Sequence, residues 1–247
     1  MIEDHAIEAS ICKVVGSEAL AYNVDEGVQI HGGAGFIEDY PICAMYRDER
    51  INRIFEGTNE INRLIISGTV LKKAILEEIP IRDVLLHRRE DMIGDNDFDE
   101  SINKEAKVVE YCKSLGLIIL DNLINIYGQD FKNKQWLIEP FADIICSISI
   151  MHNCFLRYNQ LDSGEHKNKT MPVLKLSISH HYRKLINRAK VINSYICDSM
   201  QFNGEKEKND FCNISDSSKL NYFPNEIYLK KIIIDEFYKQ EKYYLNT

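Results

Sequence analysis

The fold of this chain is decided by residues 29–63, which have the sequence QIHGGAGFIEDYPICAMYRDERINRIFEGTNEINR. The glycine-rich run HGGAGF must end the helix before it, because glycines allow backbone angles that other residues resist. Apolar residues at three- and four-residue steps from Ala6 to about Ile30 predict that helix, which is expected to be mostly buried. A second, short helix is expected after Tyr40-Pro41.

A third helix is predicted after the EGT segment. Thr58 is expected as its N-cap, and Glu60 lies in its first turn, where the helix dipole favours a carboxylate. Pro80 is expected to end this first helical unit.

The rest of the chain also has the apolar spacing of helices, and convincing two-residue alternation is scarce. We therefore predict an all-α fold, a helical bundle made of an N-terminal unit over 1–80, a linker over 81–103 and a helical extension over 104–247. The helices expected in the extension are about 104–127, 136–160, 172–203 and 226–242, with a polar loop at 204–225.

Composition excludes several classes of protein. The chain has 247 residues, 45% hydrophobic and 28% charged, as in an ordinary globular protein. Its net charge of -8 argues against a protein that tracks nucleic-acid phosphates. The longest apolar stretch, Leu115 to Leu120, is far shorter than the roughly 20 residues of a membrane span. Seven cysteines with no CxxC pair and no zinc spacing predict a reduced, intracellular, metal-free protein.

Two segments carry residues suited to chemistry. The glycine turn lets a ligand approach the backbone closely, and its exposed amides favour anions, although such a turn taken alone is most often only a turn. Glu56, beside Gly57, has the chemistry of a general base if burial raises its pKa. Taken alone, Glu56 is more often a solvated residue near an N-cap. The charged run with Arg47, Asp48, Arg50 and Arg53 is more often a solvated or salt-bridged face.

Together these segments resemble the C-terminal helical domain of the acyl-CoA dehydrogenases. Four elements stand in the order and spacing of that family, namely Q-x-x-G-G-x-G-F, Y-P, Y-R-D-x-R-I and E-G-T-x-E-I-x-R. The resemblance covers roughly residues 6–76. The remainder resembles the C-terminal helical extension of the very-long-chain-type and related bacterial members.

The resemblance implies an FAD enzyme that introduces a double bond between the α and β carbons of an acyl-CoA thioester, the chemistry of fatty acid β-oxidation. Electrons then pass to an electron-transfer flavoprotein. It implies that Glu56 is the catalytic base, that Gly57 contacts the substrate, and that Thr58, Asn59 and Glu60 lie along the FAD. It also implies a contact with an FAD that is bound mainly by the adjacent subunit. The adenine and pyrophosphate half of that FAD is expected to be held by Gln29, Ile30, His31, Gly32 and Gly33. Arg47, Asp48 and Arg50 are implied to be structural.

Subunits of that family also have an N-terminal helical domain and a middle β domain, which this sequence does not contain. We therefore expect a truncated, incomplete active site that is inactive alone and needs a homo-oligomer or a complementary chain. A non-catalytic helical interaction or oligomerisation module derived from the family is the alternative. The sequence leaves open whether the extension serves dimer contact or membrane attachment. With no targeting segment, the cytoplasm is the expected location and the mitochondrial matrix the alternative.

Overall fold

The computed structural model describes residues 5–81, 84, 103–162, 164–199, 220 and 222–240. Within these ranges the regular secondary structure is helical and contains no strand, which confirms the all-α class. The seven α-helices described are α1 (Ala6–His31), α2 (Pro41–Arg50), α3 (Asn59–Ile75), α4 (Asn103–Tyr127), α5 (Gln135–Asn159), α6 (Glu165–Ser199) and α7 (Glu226–Gln240). Short 3-10 turns cover Gly32–Phe36, Ile51–Arg53 and Gly128–Asn133.

The start of α6 differs from its expected position. The helix begins at Glu165 rather than at 172, and Pro172 lies inside it. Proline is favoured at a first helical position, which made 172 the expected start. Lys169 stabilises the extra N-terminal turns, because its Nζ lies 2.6 Å from the Oε1 atoms of both Glu165 and Glu236. The predicted linker over 81–103 lies almost entirely outside the described residues, so the three-part division stays a prediction.

The chain divides into two compact units, each with its own core. The first consists of Met1–Ile79 and Gln129–Ala142, and the second of Pro80–Gly128 and Asp143–Thr247. In the first unit α1 packs against α2 and α3. The hydroxyl of Ser67 on α3 donates a 3.1 Å hydrogen bond to the carbonyl of Ile138, which joins the 129–142 segment to this unit. Buried apolar residues of the unit include Ile11, Val14, Val24, Ile66, Leu71, Phe131 and Phe141.

The second unit has a core of aliphatic side chains from three long helices. The apolar side chains of α4 are buried along most of the helix, as expected for a helix with one apolar face. Complete burial of each Leu or Ile contributes about 1.5–3 kcal/mol. The fully buried side chains of this core include Leu115, Leu123, Ile144, Met151, Ile178, Leu185 and Ile192.

One sequence-based expectation is wrong at a cysteine. Cys197 takes part in a disulfide, so the chain is not fully reduced, whereas the five cysteines at positions 12, 43, 112, 146 and 154 are not disulfide-bonded. In the described ranges, no helix combines the length and hydropathy that a bilayer crossing requires. The same ranges contain no cluster of three or more His, Cys, Asp or Glu side chains with the arrangement of a metal site.

Candidate active site

Glu56 lies on a loop whose backbone is left-handed at two successive residues. The φ angle is 55° at Glu56 and 77° at Gly57. The left-handed conformation costs a residue with a Cβ roughly 1–2 kcal/mol, so Glu56 needs surrounding contacts to hold it there. Gly57 avoids this cost, and a Cβ at its position would lie only 3.2 Å from the side-chain nitrogen of Asn62. The Glu56 side chain is exposed in the described structure.

A polar network from α1 and α3 holds this loop. The Nζ of Lys13 on α1 donates to the carbonyl of Gly57 and to the Oδ1 of Asn59, both at 2.7 Å. The buried Asn59 carboxamide also exchanges hydrogen bonds of 3.0 and 3.2 Å with the hydroxyl of Ser17. From α3, the Nδ2 of Asn62 donates to the Gly57 carbonyl at 2.8 Å. Buried polar groups that satisfy one another in this way restrict the loop to one conformation.

The start of α3 has the cap that the sequence predicts. The Oγ1 of Thr58 accepts a 3.2 Å hydrogen bond from the backbone N–H of Ile61, which confirms Thr58 as the N-cap. The backbone N–H of Glu60 and then the Thr58 hydroxyl lower the pKa of the Glu60 carboxyl, and the charges of Arg63 and Lys13 act in the same direction. This carboxylate therefore stays ionised at the positive end of the helix.

Two depressions border the loop. One is an open groove of about 380 Å³ beside Glu56, and the other is a cavity of about 300 Å³ beside Thr58 and Glu60. Both are at the lower end of the size range of small-molecule sites. The groove is lined by Cys12, Lys13, Gly16, Ser17, Leu20, Asn52, Phe55 and Glu56. The cavity is lined by Glu18, Arg50, Arg53, Ile54, Thr58, Asn59 and Glu60.

The glycine turn at the other end of α1 is open to solvent. Gly32 has a φ of 58°, and a Cβ at Gly32 or Gly33 would meet no atom within 4 Å. The Nδ1 of His31 lies 2.7 Å from the Gly27 carbonyl, which can only accept, so Nδ1 donates its hydrogen in this contact. Gln29 and Ile30 are also exposed, with Ile30 82% accessible.

The structure brings the predicted residues together in two groups rather than one. Glu56, Gly57, Thr58, Asn59 and Glu60 are contiguous and pack beside the Lys13–Ser17 part of α1. The residues from Gln29 to Gly33 lie at the C-terminal end of the same helix. With a rise of 1.5 Å per residue, α1 separates the two groups by about 20 Å.

The charged run on α2 is partly an ion-pair face. Arg47 binds Glu38 at 2.5 Å, and this hydrogen bond and the Arg47 charge lower the pKa of the Glu38 carboxyl. Both side chains are largely exposed, so the pair stabilises the fold little. Asp48 and Arg50 are exposed, whereas the neighbouring Glu49, which sequence reasoning passed over, is buried and lies 3.2 Å from Arg53.

Sequence reasoning also missed the residues that hold the loop, Lys13, Ser17 and Asn62. Their partners lie on another helix or in the loop itself, and no local motif indicates them. The one available signal is Ser17, a small polar residue on the buried face of α1 next to Val14.

Comparisons with known proteins agree with this geometry. Residues 2–71 match the family model described as the C-terminal domain of acyl-CoA dehydrogenase. A "Probable acyl-CoA dehydrogenase" of Bacillus subtilis (strain 168) is 41% identical over 159 residues, which are 63% of this chain and 27% of that protein. The caffeyl-CoA reductase-Etf complex subunit CarC of Acetobacterium woodii is 46% identical over 66 residues, 27% of this chain and 17% of that protein.

A solved structure extends the likeness beyond the first unit. An acyl-CoA dehydrogenase from Bacillus anthracis, crystallised in complex with FAD, matches with a TM-score of 0.84 and 32% identity. The match covers 96% of this chain and 40% of that one. The fold and the loop together define an acyl-CoA dehydrogenase C-terminal helical domain. Residues 2–71 therefore belong with the C-terminal domain of the acyl-CoA dehydrogenase family, and the chain spans about a quarter of the B. subtilis relative.

Proposed function

We propose that this chain forms the C-terminal part of an FAD-dependent acyl-CoA dehydrogenase, with Glu56 as the base that removes the α proton of an acyl-CoA thioester. The observation that carries the proposal is the placement of the Glu56 carboxylate, which a clamped left-handed loop presents at the edge of a groove. A residue held in this strained conformation by its surroundings is typical of a functional site.

The loop has the features that proton abstraction requires. Within the described residues, no group forms a hydrogen bond or ion pair with the Glu56 carboxylate, which leaves both oxygens available to accept a proton. Gly57 has no side chain, so the thioester carbonyl can approach the backbone beside the base. Water must still be excluded around Glu56, since an acyl-CoA α proton is weakly acidic and a desolvated base and enolate are needed.

The glycine turn fits part of the cofactor. When bound, FAD supplies the acceptor for the β hydride. The open space at Gly32 and Gly33 admits a flat ligand, and the Gln29 amide and the His31 Nε2 offer hydrogen-bonding groups. The C-terminal end of α1 carries partial negative charge, so this turn suits the adenine and ribose better than the pyrophosphate.

Thr58, Asn59 and Glu60 are proposed to lie along a second FAD. They lie about 20 Å from the glycine turn, and we propose two half-sites, each completed by another subunit or a complementary chain. Ile30 and Phe36 beside the turn are 82% and 81% exposed, as expected of a surface that a partner covers.

The remaining elements of the proposal are partners and location. We expect electrons to leave to an electron-transfer flavoprotein, a proposal supported by the "Etf complex" in the name of the A. woodii relative. We expect the assembly to work in the cytoplasm. Because Glu56 is exposed beside an open groove, we expect the chain by itself to be inactive.

The first experiment measures flavin content and acyl-CoA oxidation, with an artificial electron acceptor, for the chain alone and in its native assembly. In a flavin-loaded assembly, Glu56→Gln should lower kcat at least 1000-fold, since it removes the proton acceptor. Glu77→Gln is the matched control, because Glu77 is also exposed and has a φ of 57° in the same unit. Equal activity of the two variants would contradict the role of Glu56.

The second candidate function is a non-catalytic helical interaction module. The exposed Ile30 and Phe36 favour it equally well, since any partner can cover them. An assembly that forms without flavin, and in which Glu56→Gln changes nothing, would support this alternative.

A further inference from the structure

The side chain of Asn62 faces three successive carbonyls of the Glu56 loop. Besides the Gly57 carbonyl, its Nδ2 lies 3.1 Å from the Thr58 oxygen and 3.5 Å from the Glu56 oxygen. The residue is only 6% exposed, so these carbonyls replace the water that the amide would otherwise bind. A single buried donor group therefore lies against the whole Glu56–Thr58 backbone.

This contact does not serve the hydrogen-bond ladder of α3. The Asn62 backbone N–H already bonds to the Thr58 carbonyl at 2.9 Å, as the helix requires. The carbonyls of Glu56 and Gly57 precede the N-cap and have no place in that ladder. The Asn62 carboxamide therefore restrains the loop rather than the helix, and the loop is the segment with left-handed backbone angles.

We propose that Asn62 is a positioning residue, whose carboxamide holds the Glu56 loop in its left-handed conformation before any ligand binds and so sets the direction of the base. This inference rests on the proposed role of Glu56 for its catalytic meaning. The close approach of the Asn62 Nδ2 to the Gly57 carbonyl is also a reason for glycine at 57, since a Cβ there would crowd the same nitrogen.

Limited proteolysis of the chain itself tests the restraint without flavin or substrate. A glutamyl endopeptidase cleaves after Glu, so it cuts the Glu56–Gly57 bond only when the loop opens. The cut after the exposed Glu38 in the same unit supplies an internal reference, and mass spectrometry measures both rates. In Glu56→Gln the first cut disappears, which identifies its fragments.

Asn62→Asp is the decisive variant. It keeps the shape of the side chain but replaces the donor nitrogen by an oxygen, and a carboxylate in the first turns of α3 does not oppose the helix dipole. We expect about a tenfold rise in cleavage at Glu56–Gly57 relative to the cut after Glu38. Asn23→Asp is the matched control, since the Asn23 amide bonds only to Ala19 on its own helix in the described structure.

Two results would overturn the inference. Wild-type cleavage in Asn62→Asp would mean that shape rather than donation matters. An equal rise at both cuts would mean general loss of stability. In an active flavin-loaded assembly, Asn62→Asp should lower kcat about tenfold and leave KM within about twofold. If Glu56→Gln keeps full activity while the loop of Asn62→Asp opens, the proposed function fails and the restraint stands.

Discussion

The two units of this chain both bury polar side chains, but with different results. In the first unit the buried Asn62 binds backbone carbonyls of a loop, and the carboxylate on that loop remains exposed. In the second unit the buried Asp143 on α5 binds Arg188 on α6, and the buried Glu105 on α4 binds Tyr222. The difference lies in what the buried groups bind, backbone carbonyls in one case and cationic or phenolic side chains in the other.

The buried polar contacts of the second unit are made by carboxylates. The Asp143 carboxylate on α5 is 1% exposed, with Arg188 of α6 at 2.8 Å and Lys184 at 3.5 Å. The Glu105 carboxylate on α4 accepts a 2.9 Å hydrogen bond from the hydroxyl of Tyr222. Burial and then this carboxylate raise the pKa of Tyr222, which stays protonated as a donor.

Removing one of these buried contacts should destabilise the second unit more than any substitution that loosens the Glu56 loop destabilises the first. Arg188→Met removes the nearer of the two cations beside the buried Asp143 carboxylate and keeps the more distant Lys184. We expect the free energy of unfolding to fall by about 3 kcal/mol, measured by urea denaturation followed by circular dichroism. The control is Arg157→Met on exposed α5 surface, with a change below about 0.5 kcal/mol. A similar small loss in both variants would break the comparison.

The second unit should also lose stability in mild acid. Burial, and then the charges of His180 and Lys184, lower the pKa of His181 from 6.5 to about 4. The unfolded chain therefore takes up a proton below pH 6.5 that the folded chain does not. Stability is complete above this pH and falls by about 2 kcal/mol between pH 7 and pH 5. Urea titrations at both pH values should show that His181→Gln removes this part of the loss and that His5→Gln does not.

A smaller effect is expected where the 129–142 segment joins the first unit. Ser67→Ala removes the hydrogen bond to the Ile138 carbonyl and should cost about 1 kcal/mol, measured by the same denaturation. Ser147 is an equally buried serine that bonds to the Asp143 carbonyl of its own helix. Ser147→Ala should be nearly neutral, because alanine favours the helix. Equal losses would mean that the Ser67 contact is not specific.

Lys13→Met is expected to change the free energy of unfolding least, and it best separates a contact that restrains the loop from one that stabilises the whole unit. Lys13→Met removes the hydrogen bonds to the Gly57 carbonyl and Asn59, yet Lys13 is partly solvated, so we expect less than 1 kcal/mol. The same variant should speed cleavage at Glu56–Gly57 about threefold, because the loop loses one of its two clamps. Lys72→Met on the exposed side of α3 should change neither quantity. A large fall in the free energy of unfolding with no faster cleavage at Glu56–Gly57 would mean that Lys13 stabilises the whole unit rather than the loop.

The parts of the molecule that follow local rules were predictable from the sequence alone. The helical class and the Thr58 cap follow from side-chain spacing and from a hydrogen bond that spans three residues. The glycine turn and the Glu56–Gly57 loop were also identifiable, because glycine marks the positions where the backbone turns left-handed. Each of these features is determined within a few residues of the chain.

The rest depends on which distant residues the fold brings together. Lys13 meets Gly57 across 44 positions, and Arg188 meets Asp143 across 45, so no local pattern indicates either pair. The extra turns of α6 depend in the same way on the contact of Lys169 with Glu236. By itself the sequence determined where helices and a candidate base would lie. Only the tertiary structure decided which polar groups are buried against which, because burial and hydrogen bonding between helices depend on packing.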